Sequence, residues 1–326
     1  MIARGPLLLV TLVLLVAVAL LVALSSGSIA IAPVQIWQAL AGDPDVPGRA
    51  IVLDLRLPRA LAAFATGGLL ALAGALMQVL LRNPLADPYI LGVSGGAAVA
   101  ALLAILAGLS GFWIDAGAFI GALSATLLVF GLAQGGGNWT PTRLLLTGVV
   151  IAAGFSAVIS LLLAVGPDTS LRGMLFWLMG DFSFAQNTRG PLLTLAVATI
   201  IGVLLARQLN VLAHGEQRAA TVGVSVRPLR IGIYLMASLL TAVAVTTAGT
   251  IGFVGLLTPH LIRLVAGSDH RIVIPGAVLL GGALLIFADT AARTIAAPRQ
   301  LPVGALTALL GVPLFLVLIR RSRHIN

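Results

Sequence analysis

Along this chain, apolar stretches of about twenty residues alternate with short polar interruptions. A helical run of that length is enough to cross the hydrocarbon core of a bilayer. Ten such stretches can be marked off, at residues 7–24, 57–81, 90–109, 114–132, 144–165, 191–206, 231–248, 256–265, 272–288 and 303–319. The eighth is short and is expected as a partial or tilted span. Residues 171–180, with Met174, Trp177 and Met179, are expected as a short interfacial helix on the outer side.

One stretch breaks the pattern. Residues 249–263 lie in apolar surroundings yet carry Gly249, Gly252 and Gly255, then Pro259, His260 and Arg263. Backbone freed by such a break finds no water in hydrocarbon, so it survives only where protein or a water-filled path surrounds it. The segment therefore predicts an intramembrane site or a transport path.

Composition strengthens the membrane assignment. The chain is 60% hydrophobic and 9% charged, whereas a soluble domain is roughly 45–50% apolar and about 25% charged. The 326 residues are expected to form one transmembrane domain, 1–326. Cysteine is absent, which excludes disulfides and thiolate metal sites. All 19 basic residues are arginine. Without a lysine the chain has no Walker A motif and is not itself a P-loop ATPase.

The net charge of +9 is explained by topology and not by nucleic acid. With the N-terminus in the cytoplasm, Arg49, Arg56, Arg59, Arg172, Arg189, Arg293 and Arg299 fall outside and the other arginines inside. Of the acids, only Asp87, Glu216 and Asp269 fall inside. The excess of inner arginines supports this orientation, which puts both termini in the cytoplasm. The first stretch is longer than a usual signal-peptide core and reads as a retained helix. Gly67, Gly68, Gly74, Gly117 and Gly121 are expected at close helix contacts.

Three features carry candidate chemistry. Gly92, Ser94 and Gly96 fit G-x-S-x-G, and with His260 they invite an intramembrane serine protease. That motif needs a strand-to-helix turn, and the sequence offers no strand there. Asp289 is the acid nearest a span interior, a default proton-relay position, but Arg293 lies four residues on, on the same helical face. A local ion pair is expected, which leaves a proton-coupled transporter without a free acid. His214, His260, His270 and His324 show no i, i+4 pair, so no metal site is expected. On the inner side, 82–88 reads as a tight turn and 214–223 as either a solvated loop or a docking element.

Read in order, these segments resemble the FecCD/BtuC-type permeases, the membrane subunits of ATP-driven importers for ferric siderophores, heme and vitamin B12. The matching residues are Arg56 to Arg59, Gly74 to Gln78, Asn83 to Pro88, Leu91 to Ser94, Gly252 to Gly255, Pro259 with His260, Arg263, Asp269 to Arg271, Ala288 with Asp289, Arg293, Leu301 to Gly304 and Gly311 to Pro313. They run over essentially the whole chain.

The resemblance implies an all-α permease of about ten transmembrane helices in the bacterial inner membrane. It implies a homodimer, with two cytoplasmic ATPase subunits that bind ATP and magnesium and a periplasmic substrate-binding protein outside. The chain itself would hold no cofactor and catalyse nothing, and its cargo would be heme or another iron chelate. By the same resemblance, Gly215, Glu216, Ala219, Ala220 and Gly223 would engage the ATPase. Arg56, Arg59 and Arg293 would meet acidic residues of the binding protein. Asn83, Leu85, Thr142, Gly252 and Gly255 would belong to the gate or path, lined by the fifth span. Gln300, Thr258 and Pro141 depart from the family pattern.

Overall fold

The computed structural model describes residues 4–27, 29–134, 140–183, 185 and 188–322. Arg323 and His324 lie outside the described residues, as do the side chains of Arg4, Arg320 and Arg321. Among the described residues the chain is helical and has no strand.

The helices are α1 (Arg4–Ser25), α2 (Pro33–Leu40), α3 (Leu57–Leu80), α4 (Val93–Leu106), α5 (Phe112–Ala133), α6 (Pro141–Val165) and α7 (Asp168–Met179). They continue with α8 (Arg189–Leu204), α9 (Ala206–Ala213), α10 (Glu216–Thr221), α11 (Val226–Ala248), α12 (Val254–Ala266), α13 (His270–Thr294) and α14 (Val303–Ser322). A π-helical turn, Ile51–Arg56, leads into α3, and a 3-10 turn, Pro88–Leu91, leads into α4.

A helix stands at each of the ten apolar stretches. Among the described residues, six helices are long and apolar enough to cross a membrane, and α8 with α9, bent by 63° at their junction, makes up to seven. The helices α4, α12 and α14 are apolar but shorter. The short helix expected at 171–180 is present as α7, which starts earlier, at Asp168.

The core is organised around α3, which packs against α11, α12 and α13. Nearly all of it is buried, because glycines let neighbouring backbones touch it. A Cβ on Gly67 would lie 2.1 Å from the Gly281 carbonyl oxygen, and one on Gly74 would lie 1.9 Å from that of Gly255. Such small-residue contacts replace the hydrophobic drive that lipid removes. A second crossing joins α4 to α5, where a Cβ on Gly121 would sit 2.3 Å from the Gly96 oxygen. The expected contact at Gly117 is an ordinary one, with Ala100 at 3.5 Å.

At the other extreme, α6 is almost bare, with 6% of its apolar window buried against 89% for the π turn and α3 together. Its start is nonetheless well specified. The Thr140 hydroxyl accepts from the Arg143 amide at 3.2 Å, and Pro141 follows at the first helical position. Proline is suited there because its missing N–H is one that no helix bonds.

The segment 29–56, on the predicted outer side and without a long apolar run, forms a small cluster with the end of α1. Ile36 and Ala39 of α2 pack with Leu24, Ile31, Val46 and Val52.

Candidate functional site

The broken segment is enclosed by protein, as the cost of unpaired backbone requires. The last turn of α11 ends at Gly249 (φ 69°), where a Cβ would lie 2.1 Å from the Trp177 oxygen of α7. The amide of Asp181 donates to the Ala248 carbonyl at 2.9 Å, and the Ile251 amide donates to the Tyr89 hydroxyl at 3.0 Å. The Thr250 hydroxyl donates to the Leu178 carbonyl. Phe253 then adopts φ 70° and opens α12. That conformation is rare for a bulky residue and marks local strain.

Inside α12, Pro259 has no N–H, so the Gly255 carbonyl loses its helical donor. The Gln78 amide group of α3 takes that place, donating to the Gly255 oxygen at 3.4 Å and to that of Leu256 at 3.2 Å. Gly255 packs tightly, its absent Cβ 2.7 Å from the Leu70 oxygen and 2.9 Å from Pro88. Gly252 does not share this role, because nothing lies within 4 Å of its Cβ position. Thus Gly249 and Gly255 stand at close backbone contacts, and Gly252 does not. His260 is half-buried, edge-on to Phe315 with ring centroids 6.5 Å apart. Ser94 lies on α4, after Gly92 (φ 72°) turns the chain out of a 3-10 helix and not out of a strand.

On the predicted outer side, Arg56, Arg59 and Arg293 do gather at one place. Their partners, however, are internal. Asp289, almost fully buried, receives Arg59 Nη2 at 2.8 Å and Nε at 2.9 Å. Arg293 Nε stands 3.5 Å from the other carboxylate oxygen. The local pair expected for Asp289 is therefore the weaker of two, and the stronger partner comes from α3.

Arg59 also reaches Asp181 at 3.5 Å, and Ser183 and Gln300 each at 3.3 Å. The amide Gln300 thus acts as a neutral acceptor beside a carboxylate-paired arginine. Arg56 is 6% exposed and donates to the carbonyls of Leu24, at 2.6 Å, and Ile29. Arg293 donates to the carbonyls of Ser26, at 3.0 Å, and Ala23. Both arginines therefore cap the end of α1, where helical carbonyls lack internal donors and the dipole favours a cation.

On the predicted inner side, a cleft of about 1230 Å³ lies between the end of α3, the start of α6 and α10. Its lining includes Leu81, Arg82, Thr142, Gly215, Glu216, Arg227 and Arg230. The structure thus brings Glu216 and Thr142, expected in different roles, to one cleft. Glu216 is held by Arg230 of α11 at 2.9 Å. Gly215 (φ 120°) and Gly223 (φ 82°) provide the turns on either side of α10. Ala219 is buried, while Ala220 and Gly223 are exposed.

Asn83 and Leu85 lie in the adjoining turn. There the Asn83 side chain accepts from the Leu85 amide at 2.9 Å, and Arg82 adopts φ 48°. Asn83 therefore builds the turn, and Leu85 is its exposed apolar residue. Burial pushes the Asp87 carboxyl up to about 6, opposed by the hydrogen bond it accepts from the Tyr89 amide.

Two features escaped the sequence. On the predicted outer side, a cavity of about 820 Å³ lies between α4, α5, α7, α8 and α11, lined by Phe112, Asp115, Phe119, Trp177 and Thr246 among others. Asn210 of α9 links to Asp269 and His270 at the head of α13. Helical periodicity signals neither, since both depend on elements far apart in the chain.

With this geometry in hand, the comparisons with known proteins are specific. The model of the FecCD transport family matches residues 14–321. The hemin transport system permease protein HmuU of Yersinia pestis is 44% identical over 84% of this chain and 84% of its own length. The cobalamin import system permease protein BtuC of Halobacterium salinarum is 42% identical over 83% of this chain and 73% of its own. A solved metal-chelate-type ABC transporter in an inward-facing conformation matches with a TM-score of 0.84 and 31% identity, over 97% of this chain and 99% of that one. The chain belongs to the FecCD transport family, the permeases of ATP-binding-cassette importers.

Proposed function

We propose that this chain is the permease subunit of an importer that carries heme or another iron chelate from the periplasm to the cytoplasm. Two copies would form the path, two ATPase subunits would bind inside, and a binding protein would deliver cargo outside. The observation that carries this reading is the inner cleft. It places a short polar helix, α10, across a shared cleft from the start of α6 and the turn after α3, in a chain with no P-loop of its own. A separate ATPase filling this cleft would meet both α10 and the start of α6, so its motion would reach both, which is alternating access driven by a partner. The hemin permease among the relatives and the metal-chelate structural neighbour support the cargo class.

The bare face of α6 supports a second copy. It exposes Ala153, Gly154, Ser156, Ala157, Ser160 and Ala164, small residues that permit close approach of another helix. Docking of the binding protein is assigned to Arg59, whose guanidinium reaches the surface beside Ser183 and Gln300. Arg56 and Arg293 would hold the platform beneath it.

The test is uptake in vesicles containing the permease, its ATPase subunits and the binding protein. Glu216→Arg should abolish uptake while ATP hydrolysis continues, and unchanged uptake would refute the coupling role. Arg59→Glu should weaken capture of the binding protein, and equal affinity by titration would remove the docking role.

A further inference from the structure

The segment α9–α10 is tied to the body of the protein at two polar joints. The first is Glu216 with Arg230 of α11. The second lies at Asn210, on α9, four residues before the His214 that ends that helix. The Asn210 amide group donates to Asp269 Oδ1 at 2.8 Å. Its oxygen accepts from the His270 amide at 2.9 Å and lies 2.6 Å from His270 Nδ1. An amide oxygen only accepts, so Nδ1 carries the proton. Asp269 also caps α13, accepting from the Arg271 amide at 3.0 Å. The hydrogen bond from Asn210, then that from Arg271, holds the Asp269 carboxyl below its ordinary value.

One half-buried asparagine thus bonds the cap, the first amide and the first side chain of α13. That helix runs for 25 residues, with Pro275 in its second turn, about 37 Å at 1.5 Å per residue. Its far end carries Asp289 and Arg293, bonded to Arg59 and to the end of α1. The α9 helix is otherwise held by Ala206, Leu209 and Leu212. Apolar contacts of this kind resist separation but fix orientation weakly, whereas directional bonds fix both.

We propose that Asn210 is a positioning residue that fastens the ATPase-facing segment to α13, so that α10 and the outer arginine cluster move as parts of one rigid strut. The proposal rests on the coupling reading of α10 given above.

It is tested with Asn210→Ala, Asp269→Ala and Asp269→Asn in the complete transporter. Two quantities are read: hydrogen exchange of residues 206–221, and cargo imported per ATP hydrolysed. Asn210→Ala and Asp269→Ala should each speed that exchange at least tenfold and lower the import ratio at least fivefold, with the ATPase subunits still bound. Asp269→Asn, which keeps an accepting oxygen, should restore the ratio to within twofold of the unsubstituted chain. An unchanged ratio in Asn210→Ala while Glu216→Arg uncouples would overturn the proposal alone. An unchanged ratio in both would overturn the coupling reading and the proposal with it. Equal loss in Asp269→Asn and Asp269→Ala would also overturn it, since the oxygen would then be irrelevant.

Discussion

Helices α3 and α6 have nearly the same length, 24 and 25 residues, and both are strongly apolar. Yet α3 lies at the centre of the protein and α6 lies almost uncovered. Hydropathy does not separate them, but the small residues do. On α3, glycines receive carbonyls of α12 and α13 within the same chain. On α6, Gly154 has nothing within 4 Å, and its small neighbours face outward. The bare face of α1 is more uniformly aliphatic, showing Leu7, Val10, Val13, Leu14, Val18 and Leu21, whereas α6 mixes Leu146, Val149, Val150 and Leu161 with its small residues. Large aliphatics suit lipid, whereas small residues and hydroxyls suit another helix or a path. A single permease chain is therefore a finished core with one unfinished wall.

The largest break in this comparison comes from filling the α3 crossings. Gly74→Leu should prevent folding outright, because the side chain would have to occupy the Gly255 backbone. Loss of monodisperse protein after detergent extraction would show it. Removing the charge that holds α3 to α13 comes next. Asp289→Ala leaves two arginines without their carboxylate and should cost about 3–5 kcal/mol, the range for breaking a buried pair. The melting temperature reads this out.

Matched truncations on the two helices then give a graded test. Leu72→Ala on α3, fully buried, should cost about 2–5 kcal/mol. Leu146→Ala on α6, 61% exposed, should change the stability of the isolated chain by less than about 0.5 kcal/mol. Equal losses would mean that α6 is packed in the single chain after all.

The placement of the spans was legible because twenty apolar residues in sequence are a local signal. A helix occupies each of the ten stretches for that reason. The broken segment was legible as a site of enclosure, since unpaired backbone must be covered. Its cover was not, because the Trp177 carbonyl, Gln78 and Tyr89 come from three other elements. The same holds at the outer cluster. Arg293 is four residues from Asp289 and was found by helical spacing, while Arg59 is 230 residues away and was not. Arg56 looked like a free surface cation in sequence, but its burial comes from the end of α1 folding over it. Reversing Arg56 therefore tests the fold, whereas reversing Arg59 tests docking and the Asp289 pair together, so its effect on binding is read beside its melting temperature.

A pH-dependent effect lies in the turn after α3. Asp87 titrates near 6 in the folded protein, above its ordinary 3.8. The folded state thus binds the proton more tightly than the unfolded state, so this group's contribution is fully present below about pH 4 and is lost as pH rises through 6. Asp87→Asn should flatten that slope and raise the melting temperature at pH 7 relative to pH 4. A slope identical to that of the unsubstituted chain would show that the carboxyl is solvated.

The unfinished wall can be probed directly, because the chain contains no cysteine and a single introduced thiol reports alone. Ser156→Cys and Ser160→Cys on α6, and Leu14→Cys and Val18→Cys on α1, would be treated with a membrane-impermeant maleimide in the assembled, cycling transporter. The account predicts that the α6 thiols react, at a rate that changes when ATP is supplied, while the α1 thiols stay unlabelled in lipid. Labelling of α6 as slow as that of α1, and indifferent to ATP, would contradict the claim that α6 walls the path.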